Sequence, residues 1–117
     1  MTVVRPNHGP NSARLRRVRA GLLGPTAESR LEQAREGLCQ PTRAQIIRAL
    51  STSPLSVGDL ARVVGRAKPA VSQHLRVLRE AEIITGRRRG RHVYYRLAEG
   101  PMVAALADLL ATAASTE

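Results

Sequence analysis

Ser72, Gln73, Arg76 and Arg79 crowd into one short stretch of the chain, and Ser72, Arg76 and Arg79 stand at i, i+4 and i+7. That is the spacing of one helical stripe. Gln and Arg side chains can make paired hydrogen bonds to purine edges, and Ser can reach a base or a phosphate, so a helix carrying this set fits the major groove of duplex DNA. On an isolated helix the same stripe is simply a solvated face, and its neighbours have to decide between the two. Gly86-Arg87-Arg88-Arg89-Gly90-Arg91 follows soon after. Four arginines in a predicted wing tip repel one another and are poorly explained as solubility, but they suit a phosphate backbone or a minor groove. Lys68 stands at the entrance of the same helix, where backbone N–H groups also attract phosphate.

These positions require elements to hold them. Val71, Leu75 and Leu78 predict that a helix from Lys68-Pro69 to about Glu82 is locked onto a core by its opposite face. Pro69 is tolerated at its start because the missing N–H would have no partner there. Before it, Ser56 with Asp59 three residues on carries the signature of a capping box. Val57, Leu60, Ala61 and Val64 then form one face of a short helix that Gly65 ends. Residues 83–85 and 92–97 read as strands flanking the arginine turn. Two short helices joined by a glycine-containing turn, then a basic hairpin, predict a winged helix-turn-helix.

Upstream, Thr26 opens a helix with Ala27, Leu31, Ala34 and Leu38 at helical spacing. Pro41 interrupts it, and Thr42 starts another helix to about Leu50 that buries Ile46, Ile47 and Leu50. Residues 51–54 read as a loop. The last helix, from Met102 to about Thr112, is apolar nearly all round. The expected fold class is therefore mainly α with a small β-hairpin. Residues 1–24, with five Arg and no acid, read as a basic, mobile arm containing a short helix over 12–22. Residues 25–113 read as the winged domain, and 114–117 as a disordered tail.

Composition is consistent with a polyanion partner. Nineteen Lys+Arg stand against nine Asp+Glu, a formal net charge of +10, and a strong positive field draws in phosphate. All the cations but Lys68 are Arg, which a high-GC genome would also favour, so composition alone leaves the matter open. The 117 residues suit one domain. With no Phe or Trp, and only Tyr94 and Tyr95 as aromatics, its core must be aliphatic. No apolar run approaches the roughly 20 residues of a membrane span, and Arg14, Arg16, Arg17 and Arg19 interrupt any secretory signal. The single cysteine, Cys39, excludes an internal disulfide framework and suits a reducing cytoplasm. No phosphate-binding loop, metal-ligand cluster or nucleophile–base arrangement argues for an enzyme or a cofactor.

Several stretches carry a family resemblance. Gln40-Pro41-Thr42-Arg43 with Ile46-Ile47-Arg48-Ala49-Leu50 resembles the "DPTRxxILxxL" signature of the ArsR/SmtB repressors, and Gly90-Arg91-His92-Val93-Tyr94-Tyr95-Arg96-Leu97 resembles their "GRxVYYxL" wing. The resemblance also runs through 55–61 and 69–79, and covers about residues 28 to 112. It implies a homodimer on a promoter palindrome, with the first and last helices as the interface, hence Leu31 with Met102, Val103, Leu106, Leu109 and Leu110. The apolar excess of the last helix independently suggests a partner surface. Ser72, Gln73, Arg76 and Arg79 would read or flank bases; Lys68, Arg87, Arg88, Arg89 and Arg91 would hold phosphates or the minor groove.

The chain departs from the family's metal-sensing members. Their "CxC" positions are here Ser56 and Gly58, and the last helix carries Asp108 but no His, with Glu99 before it and Glu117 at the tail. No metal is therefore expected, and the inducer stays open. His8, His74 and His92 are too scattered to form a site, and His74 reads as a packing or DNA-proximal residue. Cys39 reads as a small buried apolar residue near the dimer interface; a redox- or electrophile-sensing thiol is the sharper alternative. A non-specific architectural nucleic-acid binder is the rival function.

Overall fold

A computed structural model describes residues 10–115, and its helix boundaries follow proline and capping signals in the sequence. Helices α1 (Pro10–Ala20), α2 (Pro25–Leu38) and α3 (Pro41–Leu50) each begin on a proline, whose fixed φ suits a first turn that has no N–H bonds to lose. Strand β1 (Leu55–Ser56) leads straight into α4 (Val57–Val64). The Ser56 hydroxyl caps α4 by accepting the Asp59 N–H at 3.2 Å. Gly65, at φ +69°, turns the chain into α5 (Lys68–Glu80).

The sequence reading carries α5 to Glu82, but the helix ends two residues earlier. Ile83 N–H donates to Leu78 O at 2.9 Å and Glu82 N–H to Arg79 O at 3.0 Å. This is a Schellman reversal around a left-handed residue, with Glu82 at φ +61°. Strands β2 (Ile84–Arg89) and β3 (His92–Leu97) follow, and α6 (Pro101–Ala114) closes the described chain.

The expected hairpin proves to be part of a three-stranded antiparallel sheet in the order β1-β3-β2, with β3 central and β1 and β2 at the edges. Leu55 and Ser56 pair with Tyr95 and Tyr94. A two-residue strand held by so distant a partner leaves no local pattern to read. The turn is also tighter than expected: Gly86, Arg87, Arg88 and Arg89 lie within β2, and Gly90 and Arg91 alone connect the strands. Gly90 takes φ +63°, as the first central residue of a two-residue hairpin turn commonly requires.

The core is aliphatic. Ile46, Ile47, Leu50, Leu60, Val71, Leu75, Leu78, Ile83, Ile84 and Leu106 form one buried cluster, with Tyr95 packed against its edge. Helix α2 meets this cluster through Gly37, which is buried, while Leu31 and Leu38 are 53% and 40% exposed. In α6, Val103 and Leu106 are buried in the protomer's own core, Met102 and Leu110 are half-buried and Leu109 is exposed. Val103 and Leu106 are therefore corrected as interface residues, because the helical period turns them inward onto α2 and α3. Of the expected arm, 10–20 forms α1, while Arg5 and His8 lie outside the described residues, as does Glu117.

Candidate nucleic-acid interface

Helix α5 divides its faces as its spacing dictates. Val71, Leu75 and Leu78 are at most 2% exposed, and Ser72, Gln73, Arg76 and Arg79 all face solvent. Arg76 Nε donates to Glu80 Oε1 at 3.1 Å, with both side chains about two-thirds exposed. Such a surface pair is worth little net, so Arg76 can leave it for a stronger acceptor at small cost. Arg79 stands apart from the other three in its surroundings. It lines a cleft of about 580 Å³ with Arg30, Glu82, Thr85, Glu99 and Met102, at the base of the wing.

Lys68 opens α5, and its stem runs across the first turn of α4. Its Cε and Nζ would lie 3.5 and 3.7 Å from a Cβ placed on Gly58. The ammonium thus stands beside the N-terminal end of α4, where helix partial charge and free N–H groups add to its attraction for an anion.

The wing arginines separate by strand parity. Arg87 pairs across the sheet with Tyr94 and Arg89 with His92; Arg88 pairs with Val93 on the other face, the one that leads to Ile84 and Leu97 in the core. Arg91 sits in the turn. The expected single cluster is therefore two faces and a tip. Arg96, opposite Thr85, is exposed on the same face as Arg87 and Arg89. Sequence reasoning missed it, although its even separation from Tyr94 and His92 was visible. Among the described residues, the ion pairs join Glu32–Arg35, Glu36–Arg43 and Glu80–Arg76. Lys68 and the four wing arginines take part in none of them.

Behind this surface lies a polar connection that the sequence did not disclose. Arg43 Nε donates to His74 Nδ1 at 3.2 Å, and Arg43 Nη1 donates to Glu36 Oε2 at 2.9 Å and to Glu36 O at 3.3 Å. His74 is therefore held as the tautomer with a bare Nδ1. Burial, then the charges of Arg43 and Arg66, lower its pKa below the ordinary histidine value. Arg43 stood in the sequence only as part of a motif, 31 residues from its histidine partner.

Cys39 follows α2, and it is exposed. The buried reading is corrected: the thiol is exposed, although Gly37 two residues before it is seated in the core. Ser56 and Gly58 are occupied by the α4 cap and the Lys68 stem. No group of three or more His, Cys, Asp or Glu among the described residues is placed to hold a metal, and no helix among them is long and apolar enough to cross a membrane.

The sequence model of the arsR family of bacterial regulatory proteins matches residues 40–85. The transcriptional repressor SdpR of Bacillus subtilis is 36% identical over 62 residues, which span 53% of this chain and 69% of SdpR. The chain belongs to the ArsR family. The matched segment of this ArsR-family chain runs from the residue before α3 to the second residue of β2. It thus contains α4, α5 and all four exposed α5 residues. Among solved structures, the transcriptional repressor BigR from Xylella fastidiosa superposes with a TM-score of 0.62 at 29% identity, over 89% of this chain and 94% of that one. The homodimeric winged helix-turn-helix DNA-binding domain of Mb0332 from Mycobacterium bovis does so with a TM-score of 0.68 at 23% identity, over 83% and 92%. The ArsR chain is thus a winged helix-turn-helix, with six helices and a small three-stranded sheet among the described residues.

Proposed function

We propose that the chain is a sequence-specific, DNA-binding transcriptional repressor that acts as a homodimer and is not an enzyme. The observation that carries this is the exposed Ser72-Gln73-Arg76 face of α5 beside wing arginines that join no ion pair among the described residues. In this reading α5 enters the major groove; Ser72, Gln73 and Arg76 read base edges and Arg79 flanks them. Lys68, with the start of α4, holds one phosphate. Arg87, Arg88, Arg89 and Arg91 hold further phosphates or the minor groove, fixing register without reading sequence. The homodimeric state of Mb0332 and the exposed Leu31 and Leu109 support a two-fold pair. Its recognition helices would sit about 34 Å apart, one turn of DNA. The basic arm ahead of Gly24 adds flanking contacts.

Fluorescence anisotropy on a duplex selected from a random pool, against a scrambled duplex and across a salt series, tests this. Gln73→Ala and Arg76→Ala are each expected to lose about 1–3 kcal/mol on the selected duplex and to relax preference. Arg88→Ala should weaken both duplexes alike and flatten the salt slope by about one unit. Identical behaviour of the two classes sinks the division of roles. Equal wild-type binding to both duplexes makes the chain an architectural binder.

The exposure of Cys39 favours a second reading of the regulation, in which oxidation of this thiol modulates repression. Unchanged DNA binding after oxidation of the wild type would remove it.

A further inference from the structure

Arg43, on α3, bridges α2 and the proposed recognition helix α5. Its side chain is only 15% exposed, and its fork points two ways: Nη1 to Glu36 on α2, Nε to His74 on α5. A planar guanidinium holds both directions at once, as a flexible ammonium would not. His74 directly follows Gln73 in α5, so any slide or rotation of α5 that breaks the Arg43 contact also moves Gln73. The charged groups facing His74 are Arg43 from α3 and Arg66 from the turn before α5, with Glu36 reached through Arg43. Within α5, the residues one turn away are Ala70, Val71, Val77 and Leu78, none of which ionises.

We propose that Arg43 and His74 are positioning residues for base reading: the Glu36–Arg43–His74 strut holds α5 against α2, and protonation of His74 releases it. Only the neutral imidazole can accept at Nδ1; the imidazolium would present a donor to a donor and a positive charge to two arginines. The sign of the effect is diagnostic. Added positive charge near DNA ordinarily strengthens binding as pH falls, whereas release of the strut weakens the selective part of binding. Burial and the two arginines hold the His74 pKa below its ordinary value. The strut is therefore intact at neutral pH, and its loss comes below about pH 6.5. This inference rests on α5 being the base-reading helix.

The test is the ratio of affinities for the selected and the scrambled duplex, followed from about pH 8 to about pH 5. Wild type is expected to lose about tenfold in this ratio on acidification, the size of one hydrogen bond to a charged group. In His74→Asn, the amide oxygen accepts from Arg43 at every pH, and the ratio should stay high and flat. In His74→Leu the ratio should be low throughout, with cooperative melting retained. A wild-type ratio that is flat or rises in acid overturns the strut; so does a His74→Leu ratio equal to wild type. Should His74→Leu fail to fold, the His74→Asn profile decides alone, and a decline matching wild type sinks the idea. A wild type that does not discriminate the duplexes at neutral pH removes the base-reading assignment and the strut with it. Discrimination that ignores His74 removes the strut only.

Discussion

Glu82 shows what a single residue can cost this fold. It is the non-glycine residue at positive φ among those described, φ +61°, and it reverses the chain between α5 and β2. A side chain with a Cβ in that region costs on the order of 1 kcal/mol. Glu82→Gly is therefore expected to raise the unfolding free energy by about 1 kcal/mol, read from the denaturant midpoint. A drop instead would show that the carboxylate, which lines the cleft with Arg30 and Arg79, contributes more than the strain removes. At this scale the sequence was legible where a residue's role is its own exposure: Ser72, Gln73 and Arg76 stand on the outward face because their spacing is helical. It was not legible where a role needs a distant partner. Nothing within a few residues of Arg43 or His74 tells that they meet.

Among the elements, α2 departs most from its sequence pattern. Ala27, Leu31, Ala34 and Leu38 mark the helix by their spacing, yet the residue seated in the core is Gly37. A Cβ at Gly37 would stand 2.8 Å from Leu106 Cδ2 and 2.9 Å from Ile47 Cδ1, so the absence of a side chain is what lets α2 approach α3 and α6. Gly37→Val is expected to destabilise the fold by about 1–3 kcal/mol through overpacking, measured by thermal or denaturant unfolding. Wild-type stability in that variant would mean that α2 can draw back without loss. The wing is the converse case. Its hairpin and the strand 92–97 were readable, but the length of β2 and the division of its arginines between faces waited on the register of β2 against β3.

For the whole molecule, the exposed apolar side chains are distributed unevenly. Leu15, Val18, Leu22, Leu23, Leu31 and Leu38 lie in or beside α1 and α2, and Leu109 lies on α6. The radius of gyration is 20.3 Å, against about 13 Å for a compact domain of some 100 residues. An extended protomer with apolar outer helices is the shape expected of half an assembly. Leu31→Glu combined with Leu109→Glu should give a folded monomer by analytical ultracentrifugation. Its affinity for the selected duplex should fall by about a hundredfold or more, as linkage of two sites is lost. Val63→Glu, on the equally exposed surface of α4, should leave the oligomeric state unchanged. A double variant that still sediments as a dimer would place the interface elsewhere.

The sequence by itself determined the order of the helices, the polar face of α5, the capped entry to α4 at Ser56 and the presence of a basic hairpin before α6. Each of these follows from interactions within a turn or two of chain, where residue type and spacing suffice. Tertiary structure alone decided that Val103 and Leu106 face inward, that Cys39 is in solvent, that Leu55 and Ser56 complete the sheet, and that Arg43 joins Glu36 to His74. Those outcomes depend on which surfaces meet when α2, α3, α5 and α6 close on one core. That packing is fixed by shape and burial across segments far apart in the chain, so no local pattern carries it.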